Sequence, residues 1–216
     1  MLKLFGLGLN KTGTTTLGAC ARILGRRHVS CRRDLLIEIR QGRYDRLFQV
    51  CDAFDAFEDW PCPLVYRQLL ERYGDRGRYV LTVRRSAQAW LRSLSNHALV
   101  TSVNENCRLL AYGYRYPHGF EQEHLAFYER HNAEIVAHFA RQGASHLLKV
   151  LCWEKGDGWA ELCGLLGEPV PNAPFPFANR TNKSAIPAHP NFRPNVVRVV
   201  EQLTLLGRPM PEPLVL

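Results

Sequence analysis

The chain has no Cys-x-x-C pair, no membrane-length apolar run, no arginine-rich tail and no repeated or low-complexity segment. Its seven cysteines lack metal-ligand spacing and are odd in number, which argues against a zinc site or a disulfide framework and favours buried thiols in a reducing compartment. A bilayer span needs roughly 18 apolar residues, so none is predicted. Without a basic tail or a base-stacking motif, nucleic acid is not an expected partner.

No charged leader followed by an apolar segment precedes the first predicted strand, and we therefore expect a cytoplasmic protein. The length of 216 residues suits one domain over residues 1–216. Hydrophobic content of 46% and charged content of 22% are ordinary for a globular domain. The formal net charge of +8 indicates either a solvated basic surface or a field that attracts anionic ligands.

Short apolar runs alternate with helical patterns along the chain. Strands are predicted over residues 3–9, 28–30, 47–54, 78–83 and 147–152. Helices are predicted over residues 14–24, 34–40, 63–73, 86–96, 120–141, 158–166 and 195–206. The segment 98–119 has no clean period and is expected to be mobile or irregular, and the proline- and asparagine-rich segment 169–190 is expected to be an ordered loop. This alternation predicts an α/β, three-layer P-loop-type fold with a central, mainly parallel sheet flanked by helices. Ligands then bind at the carboxyl ends of the strands.

The loop after the first predicted strand carries the main chemical motif. Gly8 and Gly13 have the spacing of a phosphate-binding P-loop, but Thr14 occupies the usual lysine position and Lys11 lies inside the loop. Backbone N–H groups and a helix N-terminus can still bind an anion here. The alternatives are a solvated loop lysine and an ordinary cluster of helix-capping threonines.

Residues 10–16 resemble the 5′-phosphosulfate loop of sulfotransferases, which reads Pro-Lys-Ser/Thr-Gly-Thr-Thr. Residues 79–93 resemble the strand and helix of that family that carry an arginine and, eight positions later, a serine; Arg85 and Ser93 fit this spacing. The further matching segments are 54–61, 128–132, 153–159 and 174–179, so the resemblance covers most of residues 3–184. The sequence departs from the family pattern at Asn10 and Phe177, and the family's Arg-Lys-Gly loop has only Arg180 or Lys183 as candidates.

The resemblance implies a sulfuryl transfer from 3′-phosphoadenosine-5′-phosphosulfate (PAPS), with 3′-phosphoadenosine-5′-phosphate (PAP) as product and no metal. The residues implied around the 5′-phosphate are Lys11, Thr12, Gly13, Thr14, Thr15 and Thr16. Arg85 and Ser93, with Arg180 as a candidate, are implied at the 3′-phosphate, whereas Arg84 and Arg92 are expected to be solvated or ion-paired. The acceptor is a small molecule or a glycan that the sequence does not identify.

The catalytic base is predicted from Asp59-Trp60-Pro61, because the cytosolic relatives place a histidine two residues before a proline at the corresponding point. Asp59 is the first candidate, with Glu58 and Asp55 as rivals and His97 as a distant one. Capping of the helix that begins at Pro63 is the alternative role for Asp59.

Two other functions are compatible with the sequence: a small-molecule kinase with a degenerate P-loop, and a non-catalytic relative that binds PAP. Three histidines, His124, His131 and His138, recur every seven residues. We expect them to form a solvated helix stripe rather than a metal site.

Overall fold

A computed structural model describes residues 2–177, 183–211 and 214. Its five strands are β1 (Lys3–Gly6), β2 (His28–Val29), β3 (Ala56–Phe57), β4 (Gly77–Thr82) and β5 (Leu148–Leu151). They form one sheet in the order β2-β3-β1-β4-β5, and every neighbouring pair is parallel. The predicted α/β fold with a parallel sheet is confirmed.

The described helices are α1 (Thr14–Ile23), α2 (Arg33–Arg40), α3 (Asp45–Ala53), α4 (Tyr66–Tyr73), α5 (Ala87–Ala98), α6 (Arg108–Tyr112), α7 (Glu121–Arg141), α8 (Trp159–Leu166) and α9 (Phe192–Leu205). At least one helix lies between each pair of consecutive strands, as parallel pairing requires. Ser86 caps α5 as predicted, since its hydroxyl accepts the N–H of Ala89 at 3.1 Å.

No helix within the described ranges is long and apolar enough to cross a membrane.

The described residues fall into two compact units. The first contains the residues up to Arg85 and those from 130 to 177; the second contains residues 86–129 and those from 183 onwards. The expectation of a single domain over residues 1–216 stays a prediction.

The first unit has three layers because alternate residues of its strands face opposite sides. Leu4, Val80 and Leu151 pack with residues of α1 and α8 on one face. On the other face, the Phe5 ring stacks on Tyr79 with centroids 5.5 Å apart, and Tyr79 contacts Phe139 of α7 at 4.9 Å. The layers fix the strand ends from which the functional loops start.

Three sequence expectations are wrong. Residues 47–54 form most of α3 and not a strand: Leu47 and Cys51, four residues apart, are buried, and Gln49 between them is exposed. The irregular stretch 98–119 contains the short helix α6. The histidine stripe is not solvated, since His124 and His131 are 1% and 7% exposed.

The second unit is organised around Asn195 of α9. Its side-chain amide donates to the carbonyl oxygens of Leu99 and Thr101 at 3.1 and 2.8 Å, and its Oδ1 accepts the Tyr116 hydroxyl at 2.7 Å. These bonds attach the 98–119 segment to α9. All seven cysteines of the chain are free thiols, and five of them are buried, as predicted.

Candidate functional site

The loop between β1 and α1 is shaped by close contact with β4. A Cβ on Gly8 would lie 2.0 Å from Thr82 Oγ1, so only glycine fits. The Thr12 hydroxyl donates to the Leu9 carbonyl at 2.6 Å and lies 2.6 Å from Thr82 Oγ1, which must then be the donor to it. The backbone N–H of Thr12 also donates to the Leu9 carbonyl, at 3.2 Å, so Thr12 holds the loop together through both its side chain and its backbone.

Gly13 begins helix α1 with a left-handed backbone at φ 98°. Its carbonyl accepts the indole N–H of Trp153 at 3.1 Å, and a Cβ at this position would lie 2.3 Å from Trp153 Cδ1. In the first turn of the helix, Thr14 and Thr16 are buried and Thr15 is exposed. The Thr16 N–H donates to the Gly13 carbonyl at 3.1 Å. The first N–H groups of a helix generally lack a partner within it, and the helix dipole is positive at this end, which makes the start of α1 suitable for an anion.

Lys11 and Asp59 are the non-glycine residues with positive φ in the described part of the chain, at 69° and 65°. Such conformations cost of order 1–3 kcal/mol each and concentrate at functional sites. Lys11 follows β1 and Asp59 follows β3, which are neighbouring parallel strands. Both strained residues therefore lie at the carboxyl edge of the sheet.

The charges of Lys11 and Asp59 act on each other. Burial, followed by the positive charge of Arg84, lowers the pKa of Lys11, and the Asp59 carboxylate opposes this shift. Burial, followed by the negative charge of Glu58, raises the pKa of Asp59 to about 7, opposed by the Trp60 N–H and by Lys11. The Asp59 Oδ1 accepts that N–H at 2.8 Å. Asp59 can thus gain or lose a proton near neutral pH, as a general base requires.

Glu58 directly precedes Asp59 in the chain and is 4% exposed. Its Oε1 accepts the Ser30 hydroxyl at 2.6 Å and lies 3.3 Å from His28 Nε2. Arg22 Nη1 is 3.1 Å from His28 Nδ1 and can only donate, so in the neutral ring the proton is on Nε2, which makes no hydrogen bond to Glu58. These contacts hold the Glu58 side chain next to the candidate base, where it contributes to the raised pKa of Asp59.

Glu154 joins the loops that follow β1, β4 and β5. Its Oε1 accepts from Arg84 Nη2 at 2.6 Å, and its Oε2 accepts the backbone N–H of Arg85 at 2.9 Å. Arg84 in turn donates from Nη1 to the carbonyl of Lys11 at 3.2 Å. Of the two states expected for Arg84, solvated or ion-paired, the structure shows the ion pair, and Arg84 positions the backbone of Lys11. The Arg85 side chain is exposed, with no bond to its guanidinium within the described ranges.

A family model described as a sulfotransferase domain matches residues 3–184. The chain belongs to the sulfotransferase-domain family. It is also similar to a protein of Aspergillus versicolor named "Ava biosynthesis cluster protein M", with 24% identity over an alignment that covers 81% of this chain and 80% of the relative.

The carboxyl edge of this sulfotransferase-family chain brings together Lys11, the 12–16 loop, Asp59 and Arg85. Ser93 is half-buried on α5 in the second unit, and its pairing with Arg85 stays a prediction. Arg180 lies outside the described residues. His97 is also on α5. Asp55 is a poor base, because an ion pair with Arg27 lowers its pKa to about 2.

Sequence reasoning missed Thr82, Trp153, Glu154 and His131 as residues that shape this sulfotransferase-family site. His131 Nε2 donates to the Leu7 carbonyl at 2.9 Å, just before the loop. Thr82 ends β4, Trp153 and Glu154 follow β5, and His131 is on α7. Their partners are 69 or more residues away in the sequence. Among the described residues no group of three His, Cys, Asp or Glu could hold a metal, and the expectation that no metal takes part stays a prediction.

Glu58→Gln is expected to shift the pH profile of sulfuryl transfer to lower pH. The amide can still accept from Ser30 but has no negative charge, so the pKa of Asp59 falls below about 7. The pH dependence of kcat measures the shift, and exposed Glu71→Gln is the matched control. An unchanged profile would show that Glu58 does not tune Asp59.

Proposed function

We propose that this protein transfers a sulfuryl group from PAPS to a hydroxyl or amine of a small-molecule or glycan acceptor. The observation that carries this proposal is the pairing of Lys11 and Asp59, two residues with strained backbones whose charges interact beside an anion-binding loop. A lysine can offset the negative charge that develops on the leaving phosphate. A carboxylate whose pKa is near neutrality can take the proton that the acceptor loses.

In the proposed reaction, the acceptor oxygen attacks sulfur and a new S–O bond forms. The S–O bond to the bridging oxygen breaks, and its electron pair stays on the 5′-phosphate of PAP. Asp59 takes the proton that the acceptor loses. Lys11 and the N–H groups at the start of α1 stabilise the negative charge on the leaving phosphate, by analogy with phosphoryl transfer.

Arg85 is assigned to the 3′-phosphate, with Ser93 and Arg180 as further candidates. Glu154 holds the Arg85 backbone at the end of the first unit, while the guanidinium is left exposed for a ligand. A planar guanidinium binds phosphate through two parallel hydrogen bonds. The seven free thiols are compatible with the cytoplasmic location that we propose for this reaction.

Thermal denaturation with PAP, adenosine 5′-phosphate and ATP·Mg²⁺ tests the donor assignment. A ligand at a hundred times its Kd stabilises the native state by about 2.7 kcal/mol. We expect PAP to raise Tm more than the other two ligands do. In Arg85→Gln, PAP and adenosine 5′-phosphate are expected to raise Tm equally, and the exposed Arg92→Gln is the control that keeps the difference.

A preference for ATP·Mg²⁺ would contradict the proposal and favour a kinase. Tight PAP binding without turnover of PAPS over a broad acceptor panel would favour a non-catalytic nucleotide-binding protein.

A further inference from the structure

Glu154 lies in a short turn after β5 that is tied down at both of its sides. The Cys152 N–H donates to Asp157 Oδ2 at 2.7 Å, and this bond closes the turn around Glu154. Trp153, the residue before Glu154, attaches the same turn to the phosphate-binding loop, because its indole N–H donates to the Gly13 carbonyl at 3.1 Å. The backbone of Glu154 is therefore a fixed point from which its side chain can hold other groups.

The two oxygens of the Glu154 carboxylate hold different parts of the site. Oε2 accepts the backbone N–H of Arg85 at 2.9 Å. Oε1 accepts from the Arg84 guanidinium at 2.6 Å, and this guanidinium also donates to the Lys11 carbonyl at 3.2 Å. Three hydrogen bonds thus form an unbroken path from the backbone of Arg85 to the backbone of Lys11, and all four residues belong to the first unit.

The Lys11 end of this path is a strained turn. The Thr12 N–H donates to the Leu9 carbonyl, which closes a four-residue turn with Lys11 at its third position. Lys11 has φ 69° there, a conformation that turns of this kind normally give to glycine. Strained conformations persist only where surrounding contacts hold them. The bond from Arg84 to the Lys11 carbonyl is such a contact, and Glu154 holds Arg84 in place.

The charge of Glu154 has the wrong sign for a residue next to an anion site. The carboxylate pairs with Arg84, and the two side chains are 28% and 25% exposed. If Glu154 only lay near the ligand, its replacement by a neutral residue would strengthen the binding of anions, because a repulsive charge would be lost. A role in positioning predicts the opposite sign.

We propose that Glu154 is a positioning residue that makes this site prefer a nucleotide with two separate phosphates to a nucleotide with one. The inference rests on the proposed function, in which Lys11 binds the 5′-phosphate and Arg85 binds the 3′-phosphate. Glu154 attaches both backbones to one carboxylate, so both cationic groups are in place before a ligand arrives. Such preorganisation increases affinity. A nucleotide with a single 5′-phosphate uses only the Lys11 end and gains less from it.

Calorimetric titration with PAP and with adenosine 5′-phosphate measures this preference as the ratio of the two dissociation constants. In Glu154→Gln the side chain can accept only one of the two hydrogen bonds, because its amide nitrogen donates. We expect PAP to bind about tenfold more weakly to this variant, and adenosine 5′-phosphate to weaken by less than about threefold. The exposed Glu71→Gln is the control and is expected to keep the wild-type ratio.

Glu154→Asp separates position from charge. It keeps the negative charge, but its side chain is one methylene shorter and cannot hold both donors at the lengths found for Glu154. We expect the preference for PAP to fall in this variant as well, and an electrostatic effect could not cause that fall. This variant also decides the matter if Glu154→Gln does not fold.

PAP binding to Glu154→Gln that equals or exceeds wild type would overturn the inference, since Glu154 would then act only through its charge. Weakening by the same factor for both nucleotides in both variants would overturn it too, because that is the effect of a general loss of structure. Failure of the proposed function has a different signature, a wild-type protein that does not prefer PAP to adenosine 5′-phosphate. That result would overturn the donor assignment and this inference with it.

Discussion

Lys11→Met is expected to lower kcat for sulfuryl transfer by about a thousandfold, the upper range for losing one fixed transition-state donor. In the proposed reaction the ammonium offsets the negative charge that develops on the leaving phosphate, and the thioether of methionine cannot. KM for PAPS is expected to change less than kcat, because the charge on the bridging oxygen develops in the transition state. Steady-state kinetics with a fixed acceptor measures both constants.

Lys155→Met is the matched control for this substitution, since Lys155 is exposed in the turn after β5. Lys11→Arg retains the positive charge with a different geometry, and an intermediate rate is expected for it. If Lys11→Met keeps the wild-type kcat and its denaturation curve shows a folded protein, Lys11 is not the group that stabilises the leaving phosphate.

Asp59→Asn is expected to lower kcat by about a hundredfold to ten-thousandfold, the range for loss of general base catalysis. Asparagine is the suitable replacement because it tolerates the left-handed backbone at φ 65°, and its Oδ1 can still accept the Trp60 N–H. The wild-type rate is expected to rise with pH through about 7, where Asp59 ionises, and the variant is expected to lack this rise. A pH profile of kcat at saturating acceptor measures both effects.

The same substitution is expected to stabilise the fold at alkaline pH. The folded pKa of Asp59, about 7, is above the ordinary value of 3.8, so between these values the native state keeps a proton that the unfolded state has lost. Wild-type stability therefore falls as pH rises through this window. Above it, Asp59→Asn is expected to be more stable than wild type by on the order of 4 kcal/mol, and at acidic pH the difference disappears.

Urea denaturation at pH 4 and pH 8 measures this stability difference, with Asp75→Asn at an exposed turn as control. An equal stability of Asp59→Asn and wild type at pH 8 would contradict the raised pKa. A normal rate in Asp59→Asn would instead transfer the role of base to another group, with Glu58 as the first rival.

Most of the first unit could be predicted from sequence because its elements have unambiguous patterns. β1, β4 and β5 are short apolar runs followed by polar turns, and α7 and α8 have helical periods. Residues 47–54 could not be assigned in this way, since a short apolar run fits a strand or a buried helix face equally well. The actual strand β3 has two residues, too few for a pattern.

In the candidate site, the residue types were predictable and their environments were not. Lys11 and Asp59 were identified from loop spacing and from a local motif, but their positive φ values and mutual electrostatics depend on the folded backbone. The Trp153 indole donates to the Gly13 carbonyl, and the Arg85 backbone N–H donates to Glu154. Both bonds join distant parts of the chain. No local sequence pattern encodes such contacts.

The adjacency of β1 and β4 has a consequence for ligand selection. Lys11 and Arg85 extend from the ends of two strands whose axes are about 4.8 Å apart, a distance set by backbone hydrogen bonding and not by side chains. The sheet therefore fixes the distance between the points at which the two loops that carry these cationic groups begin, whatever the sequences of the loops. In the function that we propose, the loops that contact the acceptor can then differ in length and composition without changing the separation of the two groups assigned to the donor.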